Sequence, residues 1–244
     1  MNYLVKLAGA TALAALAATA LSAQTVRMGT EGAYPPYNFI NDDGEVDGFE
    51  RELGDELCAR AALDCTWVTN DWDSIIPNLV SGNYDTIIAG MSITSERDEV
   101  IDFTAEYFPP DPSAYVGLAG GSVDTMGGVI AAQTATIQAA YVASSGATLV
   151  EFATPEETVA AVRSGEADAV LADYAYLQPL VEASGGELAV VGDRVSIGGG
   201  VGMGVRESDG ELKGKMDAAI ASMKADGSLS AMIAKWFDGR VVEY

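Results

Sequence analysis

Residues 86–104 read TIIAGMSITSERDEVIDFT, and the change of character along this stretch decides the fold. Thr86-Ile87-Ile88-Ala89 is short, apolar and β-branched, the composition of a buried strand. Gly90 breaks the run, and Ser92 and Thr94 follow just ahead of Ser95-Glu96-Arg97. A strand that ends in glycine, then hydroxyls, then one arginine is suited to a carboxylate: amides and hydroxyls donate, and a guanidinium takes both oxygens at once. Arg97 therefore reads as a carboxylate clamp. Its bland alternative is an ion pair with Asp98, Glu99 or Asp102 on a solvated helix start.

Working outward, the chain alternates. A first strand over 25–29 runs into a loop, 30–39, that holds Gly32, a double proline and several aromatics, including Tyr34, and so excludes a helix. A helix over 51–62 carries the stripe Leu53, Leu57 and Ala61, and a core strand covers 66–69. Asp73 or Ser74 caps the helix 75–80. Glu31, Trp72 and Ser92 each follow an expected strand, so all three emerge on one sheet edge of an α/β fold with mainly parallel strands. The proline-rich run 107–113 (YFPPDPS) cannot lie inside a central strand. Beyond it the alternation restarts: strand 129–132, a polar turn 133–137, helix 138–144, strand 149–152, then a helix to Arg163 with Thr154 as N-cap and Pro155 in its first turn. Residues 167–174 (ADAVLADY) then mirror 83–90 (NYDTIIAG), each an Asp, an apolar strand and a break, as in equivalent positions of two similar lobes. The five glycines of 195–205 (VSIGGGVGMGV) mark a second crossing, and two helices, 211–226 and 228–237, close the chain.

Composition narrows the function. Residues 1–23 hold one lysine, an uncharged apolar run and Ser22-Ala23, the layout of a secretory signal cleaved before Gln24. No other stretch approaches the roughly 20 apolar residues of a membrane span, so the expectation is a soluble exported protein of about 220 residues. Without Lys6, 12 basic residues face 36 acidic ones, a formal charge of −24. That sign argues against nucleic acid and anionic membranes and favours cationic solutes, or reports a salt-adapted surface. Histidine is absent from all 244 residues, which removes the commonest general base and zinc ligand and lowers the expectation of an enzyme. Cys58 and Cys65 read as a disulfide in an exported chain. No metal site and no cofactor are expected.

Taken together, GTEGAYPPYNF, DGFERELGDELC with Cys65, NDWDSIIPNLVSGNYDTIIAGMSITSER, IDFT, QTATIQ, SGEADAVLADYAYL and MKADGS resemble, in order and over almost the whole of the mature chain, a periplasmic amino-acid-binding protein, the solute receptor of a polar or basic amino-acid ABC transporter. The resemblance implies the two-lobed type II binding-protein fold, each lobe a mainly parallel sheet flanked by helices, with two hinge crossings and ligand-driven closure. Lobe 1 would be 24–111 and 202–244, and lobe 2 would be 112–201. Arg97 would hold the ligand α-carboxylate with Ser92, Gly90 would stand beside them, and amides near Thr136 and Ile137 would add donors from the other lobe. Asp173 would pair with the α-ammonium, Tyr34 and Trp72 would sandwich the side chain, and Glu31 would meet its far end. Each has a plainer reading: Asp173 as a helix cap, Tyr34 and Trp72 as core aromatics, Glu31 as a solvated loop acid.

Ala89 and Gly90 stand where many members of that family carry serines, and Ile137 where a polar side chain is common. The ligand implied is a cationic amino acid (arginine, lysine, ornithine or histidine), the partner a membrane permease, and the state a monomer in the periplasm. The alternatives are an opine or glutamine as ligand, a cyclohexadienyl-dehydratase type of enzyme with Glu31 as its acid, or a sensing module of a larger receptor.

Overall fold

A computed structural model describes residues 25–121 and 123–244; the expected secretory signal, 1–23, lies outside them. In chain order the first part holds β1 (Thr25–Thr30), β2 (Ala33–Tyr34), β3 (Asn38–Ile40), β4 (Val46–Asp47), α1 (Phe49–Arg60), β5 (Asp64–Thr69), α2 (Ile75–Val80), β6 (Thr86–Ile87), α3 (Ser95–Asp98) and β7 (Asp102–Phe103). The second part holds β8 (Ser113–Leu118), β9 (Val129–Gln133), α4 (Ile137–Ser144), β10 (Thr148–Phe152), α5 (Pro155–Ser164), β11 (Ala169–Asp173), α6 (Tyr174–Ala183) and β12 (Leu188–Val195). The chain then returns through β13 (Gly204–Val205) to α7 (Gly210–Asp226) and α8 (Ser228–Trp236).

Two five-stranded sheets organise these elements, in the orders β5-β1-β6-β13-β7 and β10-β9-β11-β8-β12. Neighbours β5-β1-β6 and β10-β9-β11 pair in parallel, while β13 and β8 pair antiparallel with both of their neighbours. Four of the five strands in each sheet therefore run the same way. The reversed strand is in each case the one that enters its lobe from a crossing. The mirror between 83–90 and 167–174 becomes β6 and β11, each the middle strand of its five-stranded sheet, where the parallel part meets the reversed strand.

Local chemistry sets the elements. α5 starts on a capping box, with Thr154 Oγ1 accepting from the Glu157 amide and the Glu157 side chain accepting from the Thr154 amide. α1 begins earlier than its apolar stripe suggests, at Phe49, because Phe49 and Glu50 are fully buried along with Leu53 and Leu57. It ends at Arg60, which leaves Ala61 as its C-cap. β5 is an edge strand with no fully buried residue, where the sequence suggested a core strand.

The two crossings run side by side. Tyr107 N donates to Val201 O at 2.8 Å, and Val201 N returns the bond to Phe108 O at 2.9 Å. The glycine-rich second crossing is closely packed: a Cβ on Gly200 would sit 2.0 Å from Glu106 Oε2.

Candidate functional site

Between the lobes lies a partly open cavity. All nine residues that the sequence put forward line it: Glu31, Tyr34, Trp72, Gly90, Ser92 and Arg97 from one lobe, Thr136, Ile137 and Asp173 from the other. Three more share the wall, Ala89, Gln133 and Gln138. Both glutamines stood in the QTATIQ turn; their signal was polarity beside a buried strand, with nothing to say which way they faced.

Arg97 sits in the short helix α3, whose N-cap Thr94 accepts from the Arg97 amide at 3.3 Å. Its guanidinium donates to the Ser92 carbonyl at 2.8 Å and lies over the Trp72 ring, 5.3 Å from its centroid. None of the ion pairs among the described residues involves Arg97. The bonds to Asp98, Glu99 or Asp102 that the plainer reading required are not formed. Burial pulls its pKa down to about 10, against the opposing charges of Asp173 and Glu96. The bond to Ser92 O is the one hydrogen bond its guanidinium donates among the described residues. Gly90 adopts φ +61, which a side chain would resist, and its amide donates to Glu50. Ala89 and Gly90 bring no hydroxyl to this wall.

Across the cavity Thr136 caps α4, its hydroxyl accepting from Ala139 N and donating to Gln133 O. That side chain is therefore spoken for. Ile137 and Gln138 are the first two residues of α4, and their amides have no intrahelical acceptor, at the positive end of the helix dipole.

Asp173 ends β11 at the N-cap position of α6 yet makes no capping bond. Its Oδ1 accepts from Gln138 Nε2 at 2.9 Å and its Oδ2 from the Tyr34 hydroxyl at 2.8 Å. Burial lifts its pKa to about 6, held from rising further by the Tyr34 bond. Glu31 accepts from Gln133 Nε2 at 2.6 Å; burial raises it to about 7, with the Gln133 bond opposing and Asp71 and Glu50 adding to the rise.

The aromatics are arranged differently from a simple sandwich. Tyr34 stacks on Tyr176 of the other lobe at 4.4 Å, and Trp72 Nε1 donates to Ala135 O at 3.2 Å. With Tyr34–Asp173 and Gln133–Glu31, these contacts join the lobes directly, so the cleft is closed.

Two α/β lobes closed over a cleft lined by one arginine and two carboxylates have the architecture of a solute-binding protein. Residues 26–239 match the bacterial extracellular solute-binding proteins, family 3, and the chain belongs to that family. An L-arginine-binding protein of Pseudomonas aeruginosa is 34% identical over 247 residues, 95% of each chain. The lysine/arginine/ornithine-binding periplasmic protein of Escherichia coli K12 is 30% identical over 233 residues, 89% of each. The structure of a periplasmic His/Glu/Gln/Arg/opine family-binding protein from Silicibacter pomeroyi in complex with lysine is 74% identical; it superposes with a TM-score of 0.87 over 90% of this chain and 100% of the other.

Proposed function

We propose that this protein binds a cationic α-amino acid, lysine or arginine foremost, by closing its lobes over it, and hands it to the membrane permease of an ABC transporter. The observation that carries the reading is the charge set of the cleft. Arg97 contributes one positive charge, Asp173 and Glu31 two negative ones. An α-carboxylate, an α-ammonium and a side-chain cation complement all three. A neutral amino acid would leave Glu31 buried and uncompensated, a large cost unless it takes up a proton.

In this reading Arg97, Ser92 and the α4 amides of Ile137 and Gln138 take the carboxylate, and Asp173 takes the α-ammonium. Tyr34 and Trp72 flank the chain, Gly90 and Thr136 shape the walls, and Glu31 takes the distal cation. Residues 24–111 with 202–244 form one lobe and 112–201 the other. Because Arg97 and Asp173 lie on different lobes, the ligand itself bridges them, and closure gains stability by its differential affinity for the closed form.

The high identity to a protein solved with lysine supports the same ligand class. The periplasm, after removal of 1–23, is the expected place of action, and a monomer the expected state. Catalysis forms no part of the reading: Glu31, the candidate acid, lies in hydrogen-bond contact with Gln133. Calorimetric titration against the common amino acids tests the proposal; lysine and arginine should bind with Kd values at or below about 1 μM. Tight binding of neutral or acidic amino acids alone would reject it, and turnover of arogenate or prephenate would reject the non-catalytic part.

A further inference from the structure

An aspartate at an N-cap ordinarily folds its carboxylate back to accept from the second or third amide of its own helix. Asp173 occupies that position with the extended backbone such caps use, φ −60 and ψ 136, and does not do so. Both of its oxygens instead face Tyr34 and Gln138. Of the two amides it leaves, that of Ala175 is nonetheless satisfied. Tyr174 N donates to Pro112 O at 3.0 Å, and Ala175 N, the second of the helix, donates to Asp111 Oδ2 at 3.0 Å. The other Asp111 oxygen accepts from Arg240 at 2.6 Å, with the aspartate side chain only 7% exposed. Arg240 in turn lies over Phe108, 4.7 Å from its ring centroid.

We infer that Asp111, on the first crossing, caps α6 in place of Asp173 and so frees Asp173 to face the ligand, which makes Asp111, backed by Arg240, a positioning residue for ammonium recognition. The physical reason is competition. An unfilled second amide of the helix competes with the cleft for a carboxylate one residue away, because bonds to an ionised acceptor are among the strongest available. A carboxylate supplied from outside removes that pull. Arg240 offsets part of the added charge, the remainder of which still raises the Asp173 carboxyl. The arrangement also ties the ammonium site to the crossing itself and, through Arg240, to the C-terminal segment of the other lobe.

This inference rests on the amino-acid reading proposed above, and its test separates the two. Kd is measured for lysine and for 6-aminohexanoate, which keeps the carboxylate and distal ammonium but lacks the α-ammonium, by direct titration or by displacement. In Asp111→Ala, lysine should weaken by about ten-fold or more while 6-aminohexanoate stays within about two-fold of wild type. Asp111→Asn, which keeps a carbonyl oxygen for Ala175 N, should restore most of the lysine preference. If Asp111→Ala does not fold, Asp111→Ser, whose hydroxyl is one bond too short to reach, carries the same expectation. Equal weakening of both ligands, no change in either, or an Asp111→Asn protein as poor as Asp111→Ala would overturn the inference and leave the amino-acid reading intact. A wild-type protein that binds no lysine would overturn both.

Discussion

The Tyr34 hydroxyl donates to Asp173 Oδ2 at 2.8 Å, across the cleft from one lobe to the other. It also accepts from the Asp173 amide at 3.2 Å, so a single phenol fixes both the backbone and the carboxylate of the proposed ammonium partner. A carboxylate has about four acceptor sites, which leaves room for Gln138, Tyr34 and an ammonium together. Tyr34→Phe keeps the stack on Tyr176 but drops this support. It should weaken lysine binding by about 1 kcal/mol, the scale of one hydrogen bond, whereas Asp173→Asn should cost about 3 kcal/mol or more by removing the charge. Calorimetry that ranked the two equally would contradict the assigned roles.

Glu31 and Asp173 give the binding a pH dependence of defined sign. Burial raises Glu31 to about 7 and Asp173 to about 6, and an ammonium is received well only by the ionised forms. Affinity for lysine should therefore fall as pH drops below 7. Binding at pH 6 should release about one proton, read from calorimetry in two buffers of different ionisation enthalpy. In the absence of ligand the sign is opposite. Both groups titrate higher in the fold than in an unfolded chain, so their contribution to stability is full below about pH 4 and fades as pH rises through 6 to 7. The increase of Tm on adding lysine should consequently grow between pH 5.5 and 8. An increase that stayed flat over that range would show that neither carboxyl meets the ligand.

The nine wall residues were legible because they stand at or beyond strand ends, or at the start of the helix that follows, and that position is written in local pattern: an apolar run, then Gly90, or an apolar run, then Asp173. What stayed hidden depends on distance along the chain. Gln133 meets Glu31 over 102 positions, and Tyr34 meets Asp173 over 139. β8 and β12 also escaped notice. Ser113–Leu118 follows directly on three prolines, and Leu188–Val195 pairs only with β8, so neither has a helix-flanked parallel partner to announce it. Tyr34 and Trp72 were legible as aromatics of the cleft wall, while the stack of Tyr34 on Tyr176 was not, since Tyr176 lies on a helix face indistinguishable by sequence from core.

Glu50 is the least expected strut of the site. Although fully buried, it accepts from Asn38 Nδ2 at 2.7 Å, from Gly90 N at 2.6 Å and from the Tyr107 hydroxyl. It thereby links the loop that carries the binding residues to the first crossing. Burial raises its pKa, and the three donors oppose that rise. Glu50→Ala would leave three buried donors without an acceptor and should destabilise the fold by about 3 kcal/mol or more. Glu50→Gln, which sets an amide N–H against one of those donors, should cost about 2 kcal/mol. Denaturant unfolding measures both; a loss below about 1 kcal/mol in each would mean that water satisfies the donors.

The disulfide should act on stability and leave recognition alone. Cys58 and Cys65 are bonded, joining the end of α1 to the start of β5 with a separation of seven residues. Trp72 follows the other end of β5, a strand of six residues and so roughly 20 Å long. Closing so small a loop is worth about 2.5 kcal/mol through the unfolded state. Cys58→Ser with Cys65→Ser should lower unfolding free energy by about that amount and change the Kd for lysine by less than about two-fold. Ligand at 100 times its Kd adds about 2.7 kcal/mol to the native state. The doubly substituted protein in saturating lysine should therefore unfold near the same denaturant concentration as the intact protein without ligand. A large rise in Kd would instead mean that strain at the start of β5 reaches Trp72 along the strand.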